Sequence, residues 1–127
     1  MHDLIRKALK SLPANAPEGF EPFMHDFFGA VPDEDISLIE PDEILRTAQT
    51  HFSLSKKRVR PAITIEIFQP EKDRGGRTVI DIVNDDMAFL VDSVAAEINR
   101  QGFLIAFLIH PIVGKKSHLH IRIDSAL

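Results

Sequence analysis

The stretch TVIDIVNDDMAFLVDSVAAEINRQGFLIAFLIHP, from Thr78 to Pro111, decides the fold of this chain. It predicts a strand, an acidic turn, an amphipathic helix near 86–101 that stops at Gly102, and a second apolar strand. Six apolar residues of the predicted helix form one stripe at helical spacing: Met87, Leu90, Val91, Val94, Ala95 and Ile98. This order of elements predicts a strand–helix–strand unit, in which the apolar stripe of the helix packs on one face of a sheet.

The rest of the chain beyond residue 60 also has strand character. Residues 62–68 alternate, which predicts Ile63, Ile65 and Ile67 on the inward face of a half-buried strand. Together with the strands near 77–84, 103–113 and 117–124, this predicts a four-stranded antiparallel sheet. We expect the 103–113 strand to be buried on both faces because it is almost wholly apolar.

Two of these strands carry polar residues on one face. Asp81 interrupts the second face of the 77–84 strand, so that face is expected to meet solvent or an edge. In the last strand, Leu119, Ile121 and Ile123 are predicted to point inward, with His120 and Arg122 outward.

The first 60 residues read as helices separated by prolines. The predicted helices are Asp3–Leu12, Phe20–Ala30, Pro32–Leu38 and Pro41–Lys56, with Asp3 capping the first and Pro41 as the first residue of the last. A dense apolar stripe in the second predicts core packing: Phe20, Phe23, Met24, Phe27 and Phe28. His51 is interpreted as a surface or edge histidine. The fold class is therefore α+β, with a helical segment at 1–60 and a sheet unit at 61–127 in one compact unit.

Composition excludes several classes of protein. There is no cysteine, so there is no disulfide framework and no thiolate site. The net charge is −4, which argues against nucleic-acid binding, and the basic run 56–60 is interpreted as a solvated helix end. The chain shows no signal-peptide pattern and no apolar run long enough for a membrane span. We expect a cytoplasmic protein that binds neither membrane nor nucleic acid.

The acidic turn is the strongest candidate site in the sequence. It joins a strand end to a helix start, where free backbone N–H groups attract anions. A small ligand's carboxylate could bind these groups, while an aspartate accepts a hydrogen bond from its ammonium. Alternatively, Asp85 or Asp86 simply caps the helix. The predicted effector-binding residues are Asn84, Asp85, Asp86, Met87, Ala88 and Phe89.

Histidines near the C-terminus offer a second candidate site. His110, His118 and His120 could approach one another and bind a divalent ion, with Asp124 as a local carboxylate. Outward-facing strand histidines are the favoured interpretation, so we predict no metal ligand. No nucleophile–base set lies together in the sequence, and no G-x-G-x-x-G follows a strand. We therefore predict no catalytic residue and no cofactor within this chain.

One family matches these motifs. The run Val79–Ser93, read VIDIVNDDMAFLVDS, together with Glu97–Gly102, Ile109–Pro111 and His118–Asp124, resembles the N-terminal region of the very large NAD-specific glutamate dehydrogenases of bacteria. That region resembles ACT domains, which are βαββαβ amino-acid-sensing modules. The acidic turn also looks like the ACT pattern Asp-x-x-Gly-x-Leu, with Asp85 and Leu90 at the matching positions. Ala88 replaces the glycine.

The resemblance implies a fold and a function. It implies a partial, ferredoxin-like βαββ sheet that ends before its second helix and last strand, in a fragment of a longer protein. It also implies a non-catalytic regulatory or assembly domain. Assembly is favoured because Ala88 replaces the glycine that permits a ligand to approach the backbone closely. The parent enzyme would use NAD to convert L-glutamate to 2-oxoglutarate and ammonia. Implied partners are the catalytic domains of the same chain, further copies in a homo-oligomer, and an amino-acid effector. The alternative is a stand-alone ACT-like amino-acid-binding module.

Overall fold

The computed structural model describes residues 2–56, 63–69, 77–85 and 89–124, in which helices come first and strands follow. The helices are α1 (Asp3–Lys10), α2 (Phe20–Gly29), α3 (Asp33–Ile36), α4 (Ile44–Lys56) and α5 (Leu90–Arg100). A 3₁₀ turn at Pro41–Glu43 directly precedes α4. The strands are β1 (Ile63–Phe68), β2 (Thr78–Asp85), β3 (Ile105–Ile109), β4 (Ile112–Val113) and β5 (Lys116–Ile123). The predicted α+β class is confirmed. Across the described ranges, no helix combines the length and apolarity that a bilayer span needs.

The N-terminal helices form a layer with its own apolar core. All five residues of the predicted α2 stripe are buried, and they pack with residues such as Ile5, Ile36 and Ile44 from the neighbouring helices. The prediction of core packing for this stripe is therefore confirmed. At the start of α1 the predicted cap is wrong by one residue, because His2 Nδ1 accepts the Leu4 N–H at 3.0 Å and Asp3 is already helical.

The sheet is antiparallel throughout, with strand order β1-β2-β5-β3 and β4 paired to β5. Since β2 and β3 both run antiparallel to β5, they are parallel to each other, and α5 makes the crossover between them. This is the predicted strand–helix–strand unit with β5 inserted at its centre. The arrangement is ACT-like.

The predicted strand at 103–113 is in fact two strands. β3 ends at Ile109 and β4 starts at Ile112, with the break at His110 and Pro111. Proline has no N–H to offer a ladder, and here its carbonyl accepts the His118 N–H at 2.9 Å as the chain turns. β4 then pairs with the start of β5, opposite Ser117 and Lys116.

α5 starts later than predicted. Its first residue is Leu90, and Phe89 precedes it in a left-handed conformation, with φ of 63° and no side-chain cap. Asp85 is not the cap, because β2 continues to that residue by pairing with Lys116 of β5. Asp86, the other predicted cap, lies outside the described residues.

The packing of α5 is confirmed, whereas the predicted burial of β1 is wrong. Leu90, Val94 and Ile98 pack against a cluster formed on β2 and β5 by Ile82, Leu119, Ile121 and Ile123. On the same face of β1, however, Ile65 and Ile67 are 57% and 55% exposed. On this face α5 packs on the cluster of β2 and β5, whereas α4 contacts β1 elsewhere, where Thr64 Oγ1 donates to the Leu54 carbonyl at 3.4 Å. The side chain of Ile63 lies outside the described residues.

Candidate functional site: a buried histidine–aspartate cluster

Four polar residues meet between the sheet and the N-terminal helices: His51, Asp81, His118 and His120. We call them the histidine–aspartate cluster. Each is 2% exposed or less. The predictions that Asp81 meets solvent, that His118 and His120 point outward and that His51 lies at the surface are therefore wrong.

The helical layer explains the burial. Successive side chains of β2 and β5 point to opposite faces of the sheet, as the alternating sequence predicts. The pairing of β2 with β5 places Asp81 directly opposite His120. The α5 side of β5 is apolar, as predicted, but α2 and α4 cover the polar side as well. The signal missed in the sequence is that His51 shares a helical stripe with Ile44, Ala48 and Leu54, all buried on α4.

Hydrogen bonds join the cluster into one network. Oδ1 of Asp81 accepts from Nε2 of His51 at 2.8 Å and from Nδ1 of His120 at 2.6 Å. Nδ1 of His51 and Nδ1 of His118 lie 2.9 Å apart. In a neutral His51 that donates through Nε2, Nδ1 is an acceptor, so His118 donates to it. A network of neutral imidazoles around one carboxylate satisfies each of these contacts.

Electrostatics favour an ionised Asp81 beside a neutral His51 and a neutral His118. Burial alone would raise the pKa of Asp81, but hydrogen bonds from His120 and His51 outweigh it and hold that pKa below its ordinary value. Burial lowers the pKa of His51, and the hydrogen bond to Asp81 only partly offsets it. Burial also lowers the pKa of His118 to about 3. Asp81 is therefore ionised, and His51 and His118 are neutral, near pH 7.

A partly buried arginine approaches the ionised carboxylate. Nη1 of Arg46 lies 4.0 Å from Oδ2 of Asp81, and Nη2 lies 3.8 Å from Glu43. The guanidinium also stacks 3.9 Å from the centre of the Phe68 ring. Glu43 in turn pairs with Arg77 at 3.5 Å. The negative charge of Asp81 is thus compensated by a chain of ion pairs at the edge of the cluster.

The cluster can bind protons or a metal ion, but a substrate cannot reach it through the packed layers. His51, Asp81 and His120 place one donor atom each within 4.8 Å of one another. Of the other members of the set considered from the sequence, His118 contacts His51 without being one of the three donors, and His110 and Asp124 are not among them. His110 is half-buried, and Asp124 is an exposed partner of Arg122 at 3.1 Å.

The structure describes three of the six residues of the predicted acidic-turn site, and these three differ in burial. Asn84 is buried on β2, whereas Asp85 is exposed at the end of that strand. Phe89 is 77% exposed just before α5. Asp86, Met87 and Ala88 lie outside the described residues.

Asp85 borders an open cleft between α2, α4 and the turn from β4 to β5. The cleft has a volume of about 480 Å³, in the range of small-molecule sites. Aromatic residues Phe23 and Phe52 line it, together with charged residues of both signs, among them Asp26, Lys56 and Lys116. Lys116 is held in place because its Nζ donates to the Ser55 carbonyl at 2.8 Å.

Comparison with known proteins identifies the family. The family model described as "Glutamate dehydrogenase, ACT1 domain" matches residues 23–124, which include the sheet, α5 and the histidine–aspartate cluster. The chain belongs to this family. The ACT1 match confirms the resemblance seen in the sequence.

Two curated relatives of this ACT1 domain are both named NAD-specific glutamate dehydrogenase. The one from Halomonas elongata is 30% identical over 87 residues, and the one from Pseudomonas aeruginosa is 23% identical over 87 residues. In each case the match covers 65% of this chain and only 5% of the relative. No solved structure matches the chain significantly.

Proposed function

We propose that this ACT1 domain is a non-catalytic N-terminal regulatory or assembly module of a large NAD-dependent glutamate dehydrogenase. The parent enzyme would oxidise L-glutamate with NAD and water to 2-oxoglutarate, ammonia and NADH. The observation that carries the proposal is the family match over residues 23–124, together with two relatives of that name. Because the match occupies 5% of each relative, the chemistry belongs to other parts of the parent chain.

The non-catalytic role is supported by what surrounds the acid–base residues. His51, Asp81 and His120 could exchange protons chemically, but each is at most 2% exposed. A general base must reach its substrate directly or through one water molecule. The sequence also has no glycine-rich dinucleotide motif, so NAD would bind elsewhere in the parent enzyme.

The test is an assay of the 127-residue chain with L-glutamate and NAD. We expect no formation of NADH above a buffer control, followed by absorbance at 340 nm. The parent enzyme, assayed in parallel, should reduce NAD. Turnover by the domain that disappears in Asp81→Asn, with folding checked by circular dichroism, would contradict the non-catalytic role.

The exposed isoleucines of β1 support the assembly role. Ile65 and Ile67 present an apolar strip beside Ile80 and Ile82, which α5 and its neighbours cover more fully. Exposed apolar patches on soluble domains mark contact surfaces. We propose that the cytoplasmic parent enzyme forms a homo-oligomer and that a neighbouring subunit covers this strip.

The cleft beside Asp85 supports amino-acid sensing as a second role. Its lysines could pair with the carboxylate of an amino acid, and Asp85 or Asp26 with its ammonium. This moves the proposed effector contact of Asp85 from the start of α5 to the cleft. A stand-alone amino-acid-binding module would use the same contacts.

Calorimetric titration with the common amino acids tests sensing. We expect that an amino acid which binds the wild-type chain binds Asp85→Ala at least tenfold more weakly. Asp92→Ala, an exposed change on α5, should leave the affinity unchanged and serves as the matched control. Equal affinity in wild type and Asp85→Ala would remove Asp85 from the site, and absence of binding would leave assembly as the function.

A further inference from the structure

We propose that His51, Asp81 and His120 form a binding site for one divalent transition-metal ion of the zinc class. The ligand atoms would be Nε2 of His51, a carboxylate oxygen of Asp81 and Nδ1 of His120. None of these three ligands lines the cleft beside Asp85, although His118, which contacts His51, does. This proposal does not depend on whether the domain serves regulation or assembly.

The three donors converge from three separate elements. His51 comes from α4, Asp81 from β2 and His120 from β5, yet the donor atoms lie within 4.8 Å of one another. Two imidazoles and one carboxylate are donors that zinc and neighbouring first-row metals accept. Sheet register places Asp81 opposite His120, and the docking of α4 then adds His51.

The hydrogen-bond geometry suits metal binding. Nε2 of His51 and Nδ1 of His120 already face one carboxylate oxygen of Asp81, at 2.8 and 2.6 Å, and an ion that replaces their two protons would meet the same three atoms. For His51 to bind the ion through Nε2, its proton must sit on Nδ1 and be donated to Nδ1 of His118, 2.9 Å away, whose own proton then sits on Nε2. His120, which donates from Nδ1 to Asp81, must likewise carry its proton on Nε2, so three tautomers change while each imidazole stays neutral.

Neighbouring side chains hold the donors in orientation. His118 contacts the nitrogen of His51 that faces away from Asp81, as the outer hydrogen-bond partners of metal-binding histidines do. The ring of Phe27 packs 5.0 Å from that of His51, and Phe107 packs 5.8 Å from His120. Both histidine nitrogens face Oδ1 of Asp81, while Oδ2 is buried, makes no hydrogen bond within the described part of the chain and lies 4.0 Å from Nη1 of Arg46.

Two features limit the affinity. An ion with bonds of about 2.0–2.1 Å separates tetrahedral ligand atoms by about 3.3 Å, so both imidazoles must retreat by about half an ångström from Asp81. The Arg46 guanidinium, 4.0 Å from Oδ2, also repels a cation, although it contacts Glu43 and the Phe68 ring as well. Because the site is fully enclosed, we expect the ion to enter as α4 docks during folding.

The first test measures stoichiometry in the untagged 127-residue chain. The chain is unfolded in urea with a chelator, refolded with zinc sulfate, gel-filtered, and analysed by mass spectrometry of the metal. We expect about one zinc ion per chain, reduced at least tenfold in His120→Gln and unchanged in His25→Gln, which alters an exposed histidine of α2. Loss of the ion in His25→Gln, or its retention in folded His120→Gln, would overturn the assignment.

The second test needs no variant, which matters if His120→Gln fails to fold. The ¹⁵N-labelled wild-type chain is refolded with ¹¹³Cd, and the histidine side chains are observed by nuclear magnetic resonance. We expect cadmium–nitrogen coupling at Nε2 of His51 and Nδ1 of His120. Coupling at other histidines, or substoichiometric metal with no coupling, would overturn the proposal and leave the cluster as a hydrogen-bonded network.

Discussion

At the residue scale, Asp81 organises the centre of the molecule. One of its carboxylate oxygens accepts two hydrogen bonds, at 2.6 and 2.8 Å, from rings on β5 and α4. A buried carboxylate without such partners would be strongly unfavourable. The bonds therefore compensate for desolvation and, at the same time, connect the sheet to the helical layer. Removing the charge should weaken both connections together.

We predict that Asp81→Asn lowers the free energy of unfolding by about 2–3 kcal/mol, because two charge-assisted hydrogen bonds become neutral ones and Arg46 loses a partner. Urea denaturation in the presence of a chelator measures the change without interference from metal. Asp92→Asn, exposed on α5, should change stability by less than about 0.5 kcal/mol. Equal midpoints for wild type and Asp81→Asn would show that the network contributes little.

At the scale of elements, the start of α5 carries local strain. Phe89 has φ of 63°, a region in which side chains other than glycine are disfavoured by about 1–2 kcal/mol. Its ring is 77% exposed, so the ring gains little from packing in this chain. Phe89 lies directly before Leu90, the first residue of α5.

We predict that Phe89→Gly stabilises the isolated domain by about 0.5–1 kcal/mol, since relief of strain exceeds the added entropy of the unfolded chain. Phe89→Ala is the matched control: it also removes the ring but keeps the Cβ atom, so it should not stabilise. Thermal and urea unfolding of the three proteins measure the difference. If Ala and Gly behave alike, backbone strain at this position is negligible.

At the scale of the whole molecule, the sheet is covered unequally. The helical layer encloses one face, including the histidine–aspartate cluster, whereas α5 covers the other face only over part of its width. Ile65 and Ile67 remain more than half exposed on β1. An edge strand with an apolar strip invites contact with another surface, which fits a domain that serves assembly.

We predict that the double change Ile65→Thr and Ile67→Thr alters the stability of the isolated domain by less than about 1 kcal/mol, because the side chains are exposed and threonine suits a strand. In the parent enzyme the same change should weaken oligomer assembly, measured by analytical ultracentrifugation. The pair Thr64→Ser and Glu66→Gln, on the opposite face of β1, is the control. A parent enzyme that assembles normally with both threonines would exclude this strip as a contact.

The sequence by itself determined most of the elements and their order, but not the break that divides the predicted 103–113 strand into β3 and β4. Helical and alternating spacing act over a few residues, so the α2 stripe, the stripe of α5 and the inward face of β5 were predicted correctly. The acidic turn and the motif that follows it also indicated the family. The ends of helices and strands were harder to predict. Asp85, for example, fits a helix cap by local rules, but it belongs to β2 because it pairs with Lys116 of β5.

Only the tertiary structure decided which polar residues are buried. Alternation distinguishes the two faces of a strand but does not reveal whether another layer covers the polar one. His51 lies 30 residues from Asp81 and 69 from His120, and no local pattern links them. The helical layer brings them together because α4 must bury its apolar stripe against the sheet, and His51 lies on that stripe. The candidate site is therefore a product of packing between layers, which spacing along the chain does not encode.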